Sequence, residues 1–436
     1  MRLALIIPEW GEVAGGIATY YRHLVPELIS LGHDVQVFVG SSSVIDEEPQ
    51  EPFAHGLQNR IYQQHLQRFA HLKPLAGLDR HLAAAWALKQ QVDEAAREQP
   101  FDVVECCDWG LGFMPWLESD TPLAVRLHAS LSQIADAEQL PGERVFQTVT
   151  ALIEQLGLTW ADGLVTYADA NADRWSALLG KTVSVIRPPY PLAESGGGAG
   201  RALVSGKIQR WKGVEVLLQA MERVPDAQLD WYGRDMPTRL DGKPISMSEL
   251  MGKRFPDCWG SRLLPRGMVP PSELAERRRE SAFVVVPSSW DVFNFTVVEA
   301  MASGIPAIVS GGAGASELVE HGVNGFRFEA EDPAALADCL GRCLAQRPAE
   351  REAMGAAARA AVAEQLDPAN QARRHVEFYE RVAGTERLAR PVELWRSVLD
   401  SAGGLTGAGD LAQNFAGRDL AKALVERGAQ RLGLQR

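Results

Sequence analysis

Apolar residues change their spacing repeatedly along this chain. Arg2–Ile7 (RLALII) and Asp34–Val39 (DVQVFV) are short apolar runs, the pattern of strands buried on both faces. Between them, residues 17–31 repeat their apolar positions every three to four residues and stop at Gly32, which predicts an amphipathic helix with a glycine terminus. Strand, helix and strand make one βαβ unit. The strand pattern returns at 102–105 (DVVE), 124–127 (AVRL) and Gly163–Thr166 (GLVT), always between helical stretches. After a proline cluster at 188–191 and the glycine-rich stretch 195–200 (SGGGAG), read as a flexible linker, a second series follows. Its strands are expected at 203–205, 229–233, 282–287 and 305–310. The fold class is therefore α/β: two Rossmann-like domains, residues 1–193 and 201–370, face each other across a cleft. Ligands in such sheets bind beyond the carboxyl ends of the strands. Residues 371–384 read as one more amphipathic helix, and 385–436 as a helical extension with a glycine-rich link at 403–409. Helices packed on the core, an oligomerisation element and a membrane-surface element all fit that extension.

Composition narrows the function. The formal net charge of −12 argues against a general nucleic-acid binder. Five cysteines, an odd number, and an N-terminal apolar run without a cleavage site point to a reducing, cytoplasmic setting. Cys106–Cys107 and the pair Cys339 and Cys343 lack the spacing of metal ligands and read as buried thiols. Four of the nine histidines fall between His55 and His81, with no spacing that suits zinc, and no run is long enough to span a bilayer.

Candidate chemistry follows the expected strand ends. Gly15 and Gly16 open the first helix, where backbone N–H groups can meet a phosphate, although a simple turn gives the same pattern. In the second domain, GKIQRWKG brings Lys207, Arg210 and Lys212 to a strand end and a helix start. Cations there can clamp a diphosphate, since a unit-charge pair at about 4 Å is worth roughly 4 kcal/mol at an effective dielectric of 20. Residues 288–310 (SSWDVFNFTVVEAMASGIPAIVS) carry two acids, Asp291 and Glu299, around a loop that can offer N–H groups to phosphate. Glu299 can accept from a ribose diol. Asp291 has two readings, a sugar ligand or a helix N-cap.

Taken in order, these segments resemble the retaining glycosyltransferases of GT-B fold, the large family that includes glycogen synthases, sucrose synthases and phosphatidylinositol mannosyltransferases. The resemblance runs over residues 1–384 and rests on the Gly15-Gly16 loop, RLHAS with His128, GKIQRWKG, RGMV, the acid-x7-acid helix and SGGAGASELVEHGVNGFRF. It implies that Gly15 and Gly16 meet the donor diphosphate, that Lys207 and Lys212 neutralise it, and that Gly267, Met268 and Val269 hold the base. It further implies that Glu299 takes the ribose and that Asp291 and His128 contact the transferred sugar; Arg210 and the loop residues Phe293, Asn294, Phe295 and Thr296 are read as donor contacts from their place after strands. The helix at 371–384 would return to the first domain.

Three departures from the family pattern bear on specificity: Asp291 for a glutamate, Asn294 for a glycine and Lys207 for an arginine. The implied reaction moves a hexose-type sugar from a UDP-, GDP- or ADP-linked donor to a hydroxyl of a glycan, lipid-linked or small glycoside acceptor. It proceeds with retention and without metal or other cofactor. The stretch 53–82, with Arg60, Arg68, Lys73 and Arg80, reads equally as an acceptor site or as a solvated helix pair. Epimerase or phosphorylase chemistry on the same fold, and a non-catalytic nucleotide-sugar-binding subunit, are the alternatives. Peripheral membrane contact and self-association are left open.

Overall fold

The structure is a computed structural model that describes residues 1–11, 15–73, 77–138, 144–240 and 243–386, the side chains of 138 and 144–149 excepted. The helical extension expected at 385–436 falls outside the described residues from 387 onward.

The first sheet has seven strands: β1 (Arg2–Ile7), β2 (Asp34–Val39), β3 (Ala54–Gly56), β4 (Val103–Cys107), β5 (Leu123–Arg126), β6 (Gly163–Thr166) and β7 (Ser184–Val185). They lie in the order β3-β2-β1-β4-β5-β6-β7, all parallel, with β1 in register with β2 from Arg2 opposite Asp34 to Ile7 opposite Val39. The second domain opens with β8 (Ala202–Ser205) and β9 (Leu229–Tyr232), followed by an antiparallel hairpin of β10 (Pro237–Leu240) and β11 (Lys243–Ser246). Then come β12 (Leu263–Gly267), β13 (Val284–Val286), β14 (Ala307–Ser310) and β15 (Phe326–Phe328). Its parallel sheet runs β12-β9-β8-β13-β14-β15.

Strand order reverses once in each sheet, between β1 and β4 and between β8 and β13. At such a switch point the connections leave in opposite directions and open a crevice beyond the strand ends. The loops after β1 and β4 and those after β8 and β13 therefore face the gap between the domains.

Two features govern how the domains are joined: a helix that returns to the first domain and a strap packed on the second. The helix Pro368–Ala383 starts on Pro368, with Asp367 accepting from the Asn370 N–H at 2.9 Å, and buries Ala372, His375, Phe378, Tyr379 and Val382. Its last two turns press Phe378 and Val382 against Gly163, at the start of β6 in the first domain. One continuous apolar core includes β1, the helix Gly16–Ser30, β13 and this closing helix. Burying side chains of this size contributes roughly 1.5–3 kcal/mol each.

The other feature is the stretch 195–200, where a flexible linker was expected. Gly196 N–H donates to the Ser303 carbonyl at 2.8 Å, Gly198 N–H to Arg279 at 3.1 Å and Gly200 N–H to Glu280 at 3.0 Å. A Cβ on Gly198 would stand 1.7 Å from the Glu280 carbonyl oxygen. Glycine here permits close backbone approach rather than freedom, so the strap is a packed element.

The helix pair Asn59–Arg68 and Leu78–Ala96 packs on the outer side of the first sheet, with Arg68 over the rings of Phe69 and Trp86 at 5.0 and 5.6 Å. All five cysteines are buried free thiols. No helix among the described residues is long and apolar enough to cross a membrane.

Candidate active site

The switch-point loops enclose a cavity of about 660 Å³ between the two domains. Gly15, Gly16 and His128 reach it from the first domain, and Lys207, Lys212, Asp291 and Glu299 from the second. Phe293, Asn294, Phe295 and Thr296 form the lip between them.

On the first-domain side, Gly16 begins its helix against the Phe295 ring, which a Cβ would meet at 3.1 Å. The Gly15 N–H is already engaged, donating to Glu9 Oε1 at 2.7 Å. An internal carboxylate thus engages the N–H group that precedes this helix. His128, just past the end of β5, is anchored through its backbone N–H to Asp108 Oδ1 at 2.9 Å and through Nδ1 to the Tyr167 hydroxyl. Burial, then the Arg126 guanidinium, holds its pKa well below that of an ordinary histidine, so the ring is neutral near pH 7. Behind it lies a buried ion pair, Arg126 Nε to Glu105 Oε1 at 3.1 Å. Tyr21 and Tyr379 donate to Glu105 at 2.7 and 3.1 Å.

On the second-domain side, β8 runs out into Gly206 and Lys207, and the short turn Arg210–Lys212 leads to Gly213. Gly213 has φ +80°, and a Cβ there would stand 1.8 Å from the Pro287 carbonyl oxygen, so only glycine lets this turn pack on the end of β13. Lys212 Nζ then sits 2.5 Å from Asp291 Oδ2. Asn294 Nδ2 donates to the same oxygen at 3.0 Å, while its Oδ1 accepts from Thr296 N–H at 3.1 Å. Asn294, not Asp291, caps the helix Phe295–Ala302, and this overturns the N-cap reading of Asp291. Glu299 pairs with Arg278 at 2.5 Å.

The matches to known families cover both domains. Residues 15–189 match the family described as glycosyl transferase 4-like domain, and residues 199–346 the one described as glycosyl transferases group 1. The chain belongs to the group 1 glycosyltransferases.

The glycosyltransferase is 27% identical over 393 residues to a D-inositol 3-phosphate glycosyltransferase of Xylanimonas cellulosilytica, covering 81% of this chain and 88% of the relative. It is also 27% identical over 376 residues to the enzyme of that name from Mycolicibacterium vanbaalenii, covering 78% and 80%. Among solved structures it resembles sucrose-phosphate synthase of Thermosynechococcus elongatus with a TM-score of 0.66 and 21% identity, covering 88% of this chain and 99% of that one. Anabaena Alr3699/HepE in complex with UDP-glucose follows at 0.58 and 18%, covering 86% and 99%. The fold is GT-B.

Arg210, Gly267, Met268 and Val269 do not line this cavity of the glycosyltransferase; Arg210 is exposed and Met268 is 54% exposed at the end of β12. None of Arg60, Arg68, Lys73 and Arg80 lines it either. The sequence reading missed Glu9, Ser41, Ser43, Trp109 and Tyr167, all of which line the cavity, and Arg278 behind Glu299. Tyr167 was findable, because it directly follows the strand Gly163–Thr166. Arg278 was not, since it sits in the charged run ERRRE.

Proposed function

We propose that this glycosyltransferase moves a hexose-type sugar from a nucleoside-diphosphate donor to a hydroxyl acceptor, with retention at the anomeric carbon and without a metal ion. The observation that carries this reading is the asymmetry of the cavity. Its second-domain wall presents Lys207 and Lys212, and its first-domain wall presents Ser41, Ser43 and Trp109, with neutral His128 between. The donor diphosphate belongs with the lysines, and Glu299 takes the ribose. The acceptor belongs against the hydroxyl and aromatic wall.

As the sugar–phosphate bond breaks, negative charge grows on the departing diphosphate. Lys207, Lys212 and the N–H groups at the start of the helix Gly16–Ser30 receive it, with Glu9 giving up its bond to Gly15 when the phosphate enters. Lys212 exchanges Asp291 for phosphate in the same step. Asp291, steadied by Asn294, then holds a sugar hydroxyl. The acceptor hydroxyl attacks the anomeric carbon on the face the diphosphate leaves and passes its proton to the departing diphosphate, so the new glycosidic bond replaces the sugar–phosphate bond. His128 contributes a neutral imidazole to the sugar. The curated relatives' name makes a phosphorylated inositol the first acceptor to test.

The decisive experiment incubates the protein with UDP-, GDP- and ADP-linked glucose, N-acetylglucosamine and mannose in the presence of EDTA and inositol 3-phosphate or simple glycosides. The product's anomeric configuration is then read by NMR. Release of nucleotide with an α-linked product from an α-donor is expected. Lys212→Ala should lower kcat/KM by roughly two orders of magnitude with the circular dichroism spectrum unchanged. Inversion, or dependence on added metal, would overturn the mechanism; wild-type turnover of the variant would remove Lys212 from it.

A further inference from the structure

The helix Pro271–Glu280 has the sequence of a solvated surface element, PSELAERRRE. Two of its three consecutive arginines behave that way: Arg277 pairs with Glu273 and Glu280, and Arg279 with Glu194. Arg278 instead turns inward and is only 6% exposed. A guanidinium carries five N–H donors and needs acceptors when buried. The polar partner described for this one is Glu299, whose Oε2 lies 2.5 Å from the Nη2 of Arg278, while Arg278 Nε is buried without an acceptor. An arginine serving only the stability of the fold would be poorly served here.

Glu299 shows the purpose of the arrangement. Glu299 lines the donor cavity, and its side chain is 23% exposed. Arg278 takes Oε2, and among the described residues Oε1 has no hydrogen-bond partner. Anchoring one oxygen from behind fixes the rotamer and leaves the other accessible, so a diol meets a preoriented acceptor instead of a side chain that must first be ordered.

We propose that Arg278 is the positioning residue that makes Glu299 a reader of ribose, so that the Arg278–Glu299 pair sets the enzyme's preference for ribonucleoside over deoxyribonucleoside diphosphates. The inference rests on the placement of the donor ribose at Glu299 given above. It assigns the hydroxyl recognition to Glu299 Oε1 and its geometry to a residue that never touches the donor.

The test is calorimetry with UDP, GDP and ADP and with the 2′-deoxy and 3′-deoxy forms of each. Wild-type protein should bind at least one ribonucleotide roughly tenfold or more tighter than its deoxy counterpart at the hydroxyl that is read. Arg278→Met should bring that ratio below about threefold while the affinity for the deoxy form moves less than about twofold. Arg278→Lys, which keeps one cationic donor without the planar fork, should fall between. Thermal melting is recorded on each preparation. An Arg278→Met variant that keeps the wild-type ratio overturns the proposal, and so does one that loses ribo and deoxy binding alike, since that marks a structural role. Should Arg278→Met fail to fold, a wild-type ratio in Arg278→Lys overturns it equally. Wild-type binding without discrimination refutes the placement of ribose at Glu299. Absence of binding to all three nucleotides refutes the donor site itself.

Discussion

One methylene fewer at position 291 changes what the acid can reach. Asp291 is drawn onto Lys212 at 2.5 Å and steadied by Asn294. Asn294 adopts φ +79°, a region that asparagine enters more readily than most residues, and it takes over the helix cap. Asp291→Asn should therefore leave the melting temperature within a few degrees, because the cap does not depend on it. Transfer should fall by about tenfold or more as the charged hydrogen bonds weaken. Initial rates and melting on one preparation check both halves. Asp108 supplies a second test. Burial, then Glu154, raises its pKa to about 7, its Oδ1 accepts the N–H groups of His128 and Ala129, and its Oδ2 is buried without a partner. A carboxyl whose folded pKa lies above its unfolded value binds more protons in the native state, so its contribution to stability is present at low pH and lost as pH rises through the folded pKa. Relative to Asp108→Asn, the wild-type protein should lose stability by up to roughly 1.4 kcal/mol per pH unit between pH 4 and 7 and level off above. Urea titrations of the two proteins at several pH values give the difference curve. A flat difference would show that Asp108 keeps an ordinary pKa.

Elements whose identity is written in their own period were legible: the strands that begin and continue both sheets, the helix between β1 and β2, and the loops that follow β1, β8 and β13. The residues that line the cavity from those loops were legible for the same reason, since strand ends at switch points fix where side chains arrive. The strap at 195–200 was misread because composition cannot distinguish a glycine that moves from one that is crowded. The deciding neighbour, the Glu280 backbone, lies about eighty positions away along the chain. Two substitutions separate these meanings. Gly198→Ala drives a methyl into the Glu280 carbonyl and should destabilise the second domain by about 1–3 kcal/mol. Gly197→Ala has nothing within 4 Å and should be close to neutral. Chemical denaturation of both reads the contrast, and equal stabilities would restore the flexible linker. Arg278 was hidden by the same limit in another form: within ERRRE the three arginines look alike, and only the neighbouring helix Phe295–Ala302 selects the one that turns inward.

At the scale of the whole molecule, the closing helix ties the end of the described chain to the beginning. His375 contacts the Tyr20 hydroxyl across 355 positions, and Tyr379 donates to Glu105 across 274. Glu105→Gln would leave the buried Arg126 without its counter-charge and should cost about 3–5 kcal/mol, while Tyr379→Phe, which removes one donor from Glu105, should cost about 1–3 kcal/mol. Denaturant midpoints check the order; equal losses would mean that the pair is shielded less completely than its burial implies. That this helix packs back on the first domain follows from its amphipathic period and the family resemblance, but the polar network it completes depends on four elements meeting and has no linear signature. The return also sets an order of events during synthesis. The last strand of the first sheet ends at Val185, yet Pro368, where the helix that seals this domain begins, is still to be made. At 5–20 residues per second the ribosome takes roughly 10–40 s to cover that distance. For that interval the nascent first domain has its strands but lacks the helix whose His375 contacts Tyr20 and whose Tyr379 donates to Glu105, so this part of its buried face stays open to water until that helix is made.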